Sequence, residues 1–147
     1  MASSDRRAPR TDYEAIAASY DEEREHWEIP PDDVIASADG DLRVLDVGCG
    51  TGLWLVAQHR HFPDAPIRWT GLDPSAAMLT EARAKAPDLS LVRGFAEAIP
   101  ARTNGVDYVY SSFAYHHFAD KGAAFDEITR VAPSGPPGRD RVGPASR

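Results

Sequence analysis

The chain has 147 residues, 42% of them hydrophobic and 27% charged, which suits one domain with a real core and excludes a disordered composition. A net charge of −7 argues against a general nucleic-acid surface, and the longest apolar runs fall well short of a membrane span. The single Cys49 excludes an internal disulfide, and residues 1–7 lack an apolar signal core, which points to a cytoplasmic protein.

Residues 1–10 are polar and expected to be disordered. From Thr11 the pattern changes: Tyr13, Ile16, Ala17 and Tyr20 are spaced three or four apart, on one face of a helix that Thr11 or Asp12 can cap. A charged stretch, residues 22–28, carries Trp27, which either lines a substrate pocket or, more commonly for a tryptophan so placed, packs. Pro30-Pro31 ends that segment, and residues 32–36 suggest a short helix.

Residues 43–47 then read as a strand covered on both faces, as in a parallel sheet. It runs into a turn with Gly48, Gly50 and Gly52 at every second position, followed by a helix over residues 53–60 for which Thr51 is the expected cap. Glycine permits positive φ and close backbone approach to a ligand across the strand's end. The spacing is G-x-G-x-G, not the G-x-G-x-x-G of dinucleotide sites. Asp46, two residues before the first glycine, is awkward for a pyrophosphate but suits a ligand carrying an ammonium and a sulfonium. Cys49 is read as a small packing residue, since no basic neighbour in sequence would activate its thiol.

Residues 67–72 form the second expected strand, with Asp73 at its end, 23 residues after Gly50. That is about the 20-residue interval at which an acid accepts hydrogen bonds from both ribose hydroxyls. Asp73 can equally cap the next helix, because Pro74 suits a first helical position. A helix over 75–85, a strand over 89–93, a loop over 94–100, a strand over 106–113 and a helix over 125–131 follow. Beyond Val131 the chain turns to Pro, Gly and Arg, with no run able to form a buried strand.

The words Leu45-Asp46-Val47-Gly48-Cys49-Gly50-Thr51-Gly52 closely resemble the first motif of class I S-adenosylmethionine-dependent methyltransferases. Residues 13–21 resemble the N-terminal lid helix of many small-molecule members, where an aromatic such as Tyr20 covers the cofactor or packs on the sheet. Residues 71–79 resemble the second motif, and residues 94–100 the G-D-A-E-x-L-P loop, with Phe95 in place of the usual Asp. Residues 111–118 resemble the S-x-x-L-H-H stretch of the group acting on small metabolites. The resemblance implies an α/β, Rossmann-like, doubly wound parallel sheet with four recognisable strands in the order 3-2-1-4. It implies S-adenosyl-L-methionine as cofactor, a small-molecule acceptor, and no metal.

Residue by residue, the resemblance lays the methionine portion on Asp46, Gly48, Cys49, Gly50 and Gly52, and the ribose on Asp73 and Pro74. Met78, Phe95 and Ala96 would flank adenine, and Ser111, Ser112 and Phe113 would face the reacting end. His116 or His117 would take a proton from the acceptor, or only pack at the cofactor's edge. The likeness covers residues 11–131, an incomplete cofactor-binding domain. Residues 132–147 form a tail expected to be disordered, and the family's later strands have no counterpart here. The fourth strand is therefore expected to be an exposed edge in a truncated product that is either poorly stable or completed by another chain, including a second copy. Two alternatives stay open: a binding module that has lost transfer activity, and a nicotinamide-dependent oxidoreductase, against which the glycine spacing and Asp46 both speak.

Overall fold

The computed structural model describes residues 11–111 and 117–133. Four strands, β1 (Leu42–Val47), β2 (Ile67–Asp73), β3 (Ser90–Arg93) and β4 (Tyr108–Tyr110), form a parallel sheet in the order β3-β2-β1-β4. This is the Rossmann-like class and the strand order that the motifs imply. Chain order reverses between β1 and β4, and ligands of such sheets bind at the strands' carboxyl ends beside that reversal.

Alternate residues of β1 feed two cores, because successive strand side chains point to opposite faces. Val44 packs with Trp54, Leu55 and Trp69, and with Leu79 beyond them. These come in part from α3 (Leu53–His61) and α4 (Ala76–Lys85), which cover one face, with Ile35 of α2 (Asp33–Ala36) in the same core. Leu45 and Val47 pack on the other face with Leu72, Ile99, Ala124 and Val131, the last two from α5 (Lys121–Val131). Arg130 of α5 donates to the carbonyls of Ile99 and Ala101, while Glu127 accepts from the Ile99 N–H, so α5 grips the loop after β3.

Gly71, mid-β2, leaves room for the first core. A Cβ there would lie 2.7 Å from Cys49 Sγ and 2.9 Å from Leu55 Cδ2. Gly71→Ala is therefore expected to destabilise the fold by about 2 kcal/mol through overpacking, read as a lower Tm with an unchanged denaturant slope.

Several elements differ from the sequence expectation. The N-terminal helix lasts one turn, α1 (Tyr13–Ile16), then tightens into a 3-10 turn over Ala17–Ser19. Asp12 is its cap, accepting from the Ala15 N–H. Contacts to distant segments, described below, set the path of this stretch more than its periodicity does. β4 starts at Tyr108 although the Asp107 N–H still donates to the Arg43 carbonyl of β1: the Asp107 carboxylate takes the Arg43 N–H along with Nε and Nη2, and the Val106 N–H turns away to the Val131 carbonyl. α5 begins four residues earlier than expected, capped by Asp120. Among the described residues β4 pairs only with β1. The disorder expected of residues 1–10, and of residues 134–147 within the tail 132–147, falls outside the described residues.

Candidate functional site

The glycine turn is spliced to the end of β2. The N–H groups of Gly48 and Cys49 both donate to the Leu72 carbonyl, at 2.7 and 3.0 Å. This seats Asp73 beside the turn, where its Oδ2 accepts from the Gly50 N–H at 2.9 Å and its Oδ1 from the Ser75 N–H at 2.9 Å. The Gly94 N–H donates to the Asp73 carbonyl at 3.1 Å. The turn, the start of α4 and the loop after β3 thus meet at one residue. Asp73 does not cap α4; Ser75 does, through its Oγ and the Met78 N–H.

The glycines do different things. Gly50 (φ +56°) faces open space, with no atom within 4 Å of a Cβ built on it. Gly52 (φ +80°) lies under α4, where a Cβ would meet Ala82 Cβ and Val56 Cγ2, each at 3.1 Å. Gly50 leaves a cradle; Gly52 permits helix packing. Gly52 also takes the cap position of α3, so the expectation that Thr51 caps this helix is corrected. The Thr51 hydroxyl donates instead to Asp21 Oδ1 at 2.6 Å.

Asp46 is 3% exposed, between Gly71 and Tyr110 in the sheet, and its carboxylate accepts no hydrogen bond among the described residues. Burial, reinforced by the charge of Asp73, pushes its pKa up to about 8. Burial also raises Asp73, 8% exposed, against the opposing pull of the Ser75 and Gly50 N–H groups. Neither carboxylate has a cationic partner among the described residues. Burial pushes the Cys49 thiol well up, so it stays protonated and packs as a small hydrophobe. Among the described residues no cluster of three or more His, Cys, Asp or Glu could hold a metal ion.

The remaining candidates are distributed as follows. Pro74 follows Asp73, and Met78 is buried in the first turn of α4. Phe95 is 64% exposed just beyond Gly94, whereas Ala96 packs into the α5-side core. Ser111 follows β4, its Oγ buried without a hydrogen-bond partner among the described residues. Ser112, Phe113 and His116 lie outside the described residues. His117 Nε2 lies 2.6 Å from Tyr13 Oη, with the rings edge to face. Trp27 is 44% exposed, with the Arg24 guanidinium 5.4 Å from its ring centroid. Sequence reasoning missed the roles of Asp21 and Lys85 against the turn. Asp21 carried a weak signal as the residue after Tyr20 in the lid-like stretch, and Lys85 carried none.

The chain, with this sheet and glycine turn, belongs to the methyltransferase domain family, whose model matches residues 44–135. A demethylmenaquinone methyltransferase of Lactiplantibacillus plantarum is 39% identical over 98 residues, which cover 63% of this chain and 41% of that one. One from Renibacterium salmoninarum is 31% identical over 128 residues, covering 87% of this chain and 52% of that one. This chain therefore spans about half, or less, of the curated relatives it matches.

Among solved structures, a chain in the complex of the Haloferax volcanii Trm112 methyltransferase activator matches with a TM-score of 0.66 and 27% identity, covering 88% of this chain and 59% of that one. An S-adenosylmethionine-dependent methyltransferase of Mesorhizobium loti matches with a TM-score of 0.56 and 31% identity, covering 66% and 44%. Fold and family are those of S-adenosylmethionine-dependent methyltransferases.

Proposed function

We propose that this chain binds S-adenosyl-L-methionine over the glycine turn and aligns its methyl group for transfer to a small-molecule acceptor. The observation that carries this reading is the pair of buried carboxylates, Asp46 at the end of β1 and Asp73 on the Gly50 N–H beside the open space there, with no cationic partner among the described residues. When bound, S-adenosylmethionine supplies an electrophilic methyl group on a cationic sulfur. Asp46 then faces the cationic, methionine end, and Asp73 accepts from the ribose hydroxyls. Gly50 lets the main chain approach, while Met78, Phe95 and Ala96 border the base. Ser111 follows β4, and the family likeness would set Ser112 and Phe113, outside the described residues, at the reacting end. His117, steadied by Tyr13, or His116, takes a proton from the acceptor. The protein's contribution is alignment and exclusion of water rather than covalent chemistry.

The names of the menaquinone-pathway relatives make demethylmenaquinone the first acceptor to try. We place the activity in the cytoplasm, in keeping with one buried, unpaired cysteine and no helix long and apolar enough to cross a membrane among the described residues. The edge of β4 that has no partner strand among the described residues is where a second chain would add.

The test is calorimetric titration with S-adenosylhomocysteine, followed by an assay for methyl transfer from labelled S-adenosylmethionine. Saturable binding and labelled product are expected. Binding of NADH in place of either sulfur nucleoside would overturn the reading in favour of an oxidoreductase.

A further inference from the structure

The glycine turn has a residue that is fixed from outside on two sides. Thr51 stands between Gly50 and Gly52 and is 1% exposed. Its hydroxyl donates to Asp21 Oδ1 at 2.6 Å, and its carbonyl accepts from Lys85 Nζ at 2.8 Å. Lys85 and Asp21 are in turn ion-paired. The three groups close a ring through segments far apart in sequence: the N-terminal stretch, the turn, and the last residue of α4.

A turn of conformationally permissive residues does not hold its own shape. Gly48, Gly50 and Gly52 all have positive φ. The orientation of the Gly50 N–H, which meets Asp73, therefore depends on what anchors its neighbour. An ammonium has three donors and can serve a carboxylate and a carbonyl at once, and a carboxylate can accept from both an ammonium and a hydroxyl. Both side chains of the pair are about a quarter exposed, at 25% and 26%, so the contact is partly shielded from solvent.

The same N-terminal stretch is tied down twice more. Glu14 accepts from the Ala77 N–H at the start of α4, at 3.2 Å, and Tyr13 meets His117 beyond β4. It crosses from one side of the sheet's carboxyl end to the other, and the Asp21 contact is its one bond to the turn itself among the described residues.

We infer that Asp21 and Lys85 are positioning residues: by clamping Thr51 they hold the Gly50 N–H on Asp73 and so set the turn in its cofactor-receiving shape. The inference rests on the reading of this turn as the cofactor's seat. It adds that the N-terminal stretch and the end of α4 govern that seat without touching the ligand.

Two measurements test it in the full chain. Amide hydrogen exchange at Gly50, without any ligand, reads the clamp directly: Lys85→Met and Asp21→Ala are expected to lose protection there by about tenfold, while amides of β1 keep theirs. Titration with S-adenosylhomocysteine reads the consequence: each variant is expected to bind about tenfold more weakly, the double variant no worse than the weaker single one, and Lys85→Arg near the parent.

The exchanged pair Asp21→Lys with Lys85→Asp restores the ion pair but not the donor to the Thr51 carbonyl. It is expected to recover Tm without recovering affinity, which a merely structural ion pair would not do. Unchanged Gly50 protection, additive losses in the double variant, or affinity that returns with Tm would each overturn the inference. Failure of the parent chain to bind, with Gly50 exchange responding as expected, would overturn the cofactor reading and leave the clamp standing.

Discussion

Asp73→Ala is expected to weaken S-adenosylhomocysteine binding by at least about 100-fold, the loss of roughly 3 kcal/mol for charge-assisted hydrogen bonds to a ribose diol. The residue is the point at which three segments converge. Its two oxygens take the Gly50 and Ser75 N–H groups, and its carbonyl takes the Gly94 N–H. Alanine would also strand two amide donors, so a fall in Tm accompanies the loss. Asp73→Asn separates the two effects. It retains one carbonyl oxygen for a backbone donor and the same volume, so most of the stability stays while the affinity still falls by about tenfold or more. Affinity unchanged in both variants would remove Asp73 from the site.

Asp46→Asn is expected to stabilise the protein at pH 8 and to weaken its hold on the cofactor. The sign follows from the shift. The Asp46 pKa rises from an ordinary 3.8 to about 8 in the fold, through burial first and the Asp73 charge second. Between those values the folded chain binds a proton that the unfolded chain does not. Stability is therefore full below the unfolded value and is lost as pH rises through the folded one. Asparagine is neutral throughout, so its melting curve should lie close to the parent's near pH 4 and above it at pH 8, the gap widening by at most about 1.4 kcal/mol for each pH unit between. A smaller slope remains from Asp73, whose pKa is also raised and which titrates together with Asp46.

Binding should show the reverse. A cation beside Asp46 favours its ionised form, so complex formation releases a proton, and parent affinity for S-adenosylmethionine climbs from pH 6 to pH 8 more steeply than that of the variant. Titration of the ligand's own amine is common to both proteins, and the difference isolates Asp46. Parallel profiles would show that the cation does not approach this carboxylate.

The parts of this architecture that were legible in the sequence are those written locally. The strand-turn-helix around residues 43–60 announced itself by apolar residues on both faces and by three glycines at fixed spacing. Asp46 and Asp73 were singled out by position alone, one inside a strand and the other ending the next. The strand order followed from the likeness to the family.

What was not legible depends on side chains that meet only after folding. Nothing near Lys85 signals that it reaches the Thr51 carbonyl, 34 residues away. The one-turn α1 reads as a longer helix by periodicity, yet its course is fixed by Asp21, Glu14 and Tyr13 reaching three other segments. Thr51 looked like a helix cap because its residue type and place suit one. The hydroxyl found a carboxylate instead, and Gly52, lying under Ala82, took the cap position. Likewise β4 begins later than its apolar run because Asp107 occupies the Arg43 amide.

Cys49, whose Sγ fills the space a Cβ on Gly71 would need, has a practical consequence. It is the chain's lone sulfhydryl. A thiol reagent reaches it when the turn lifts from the end of β2, so its labelling rate is a clock for that opening, built into the native sequence and needing no engineered tag.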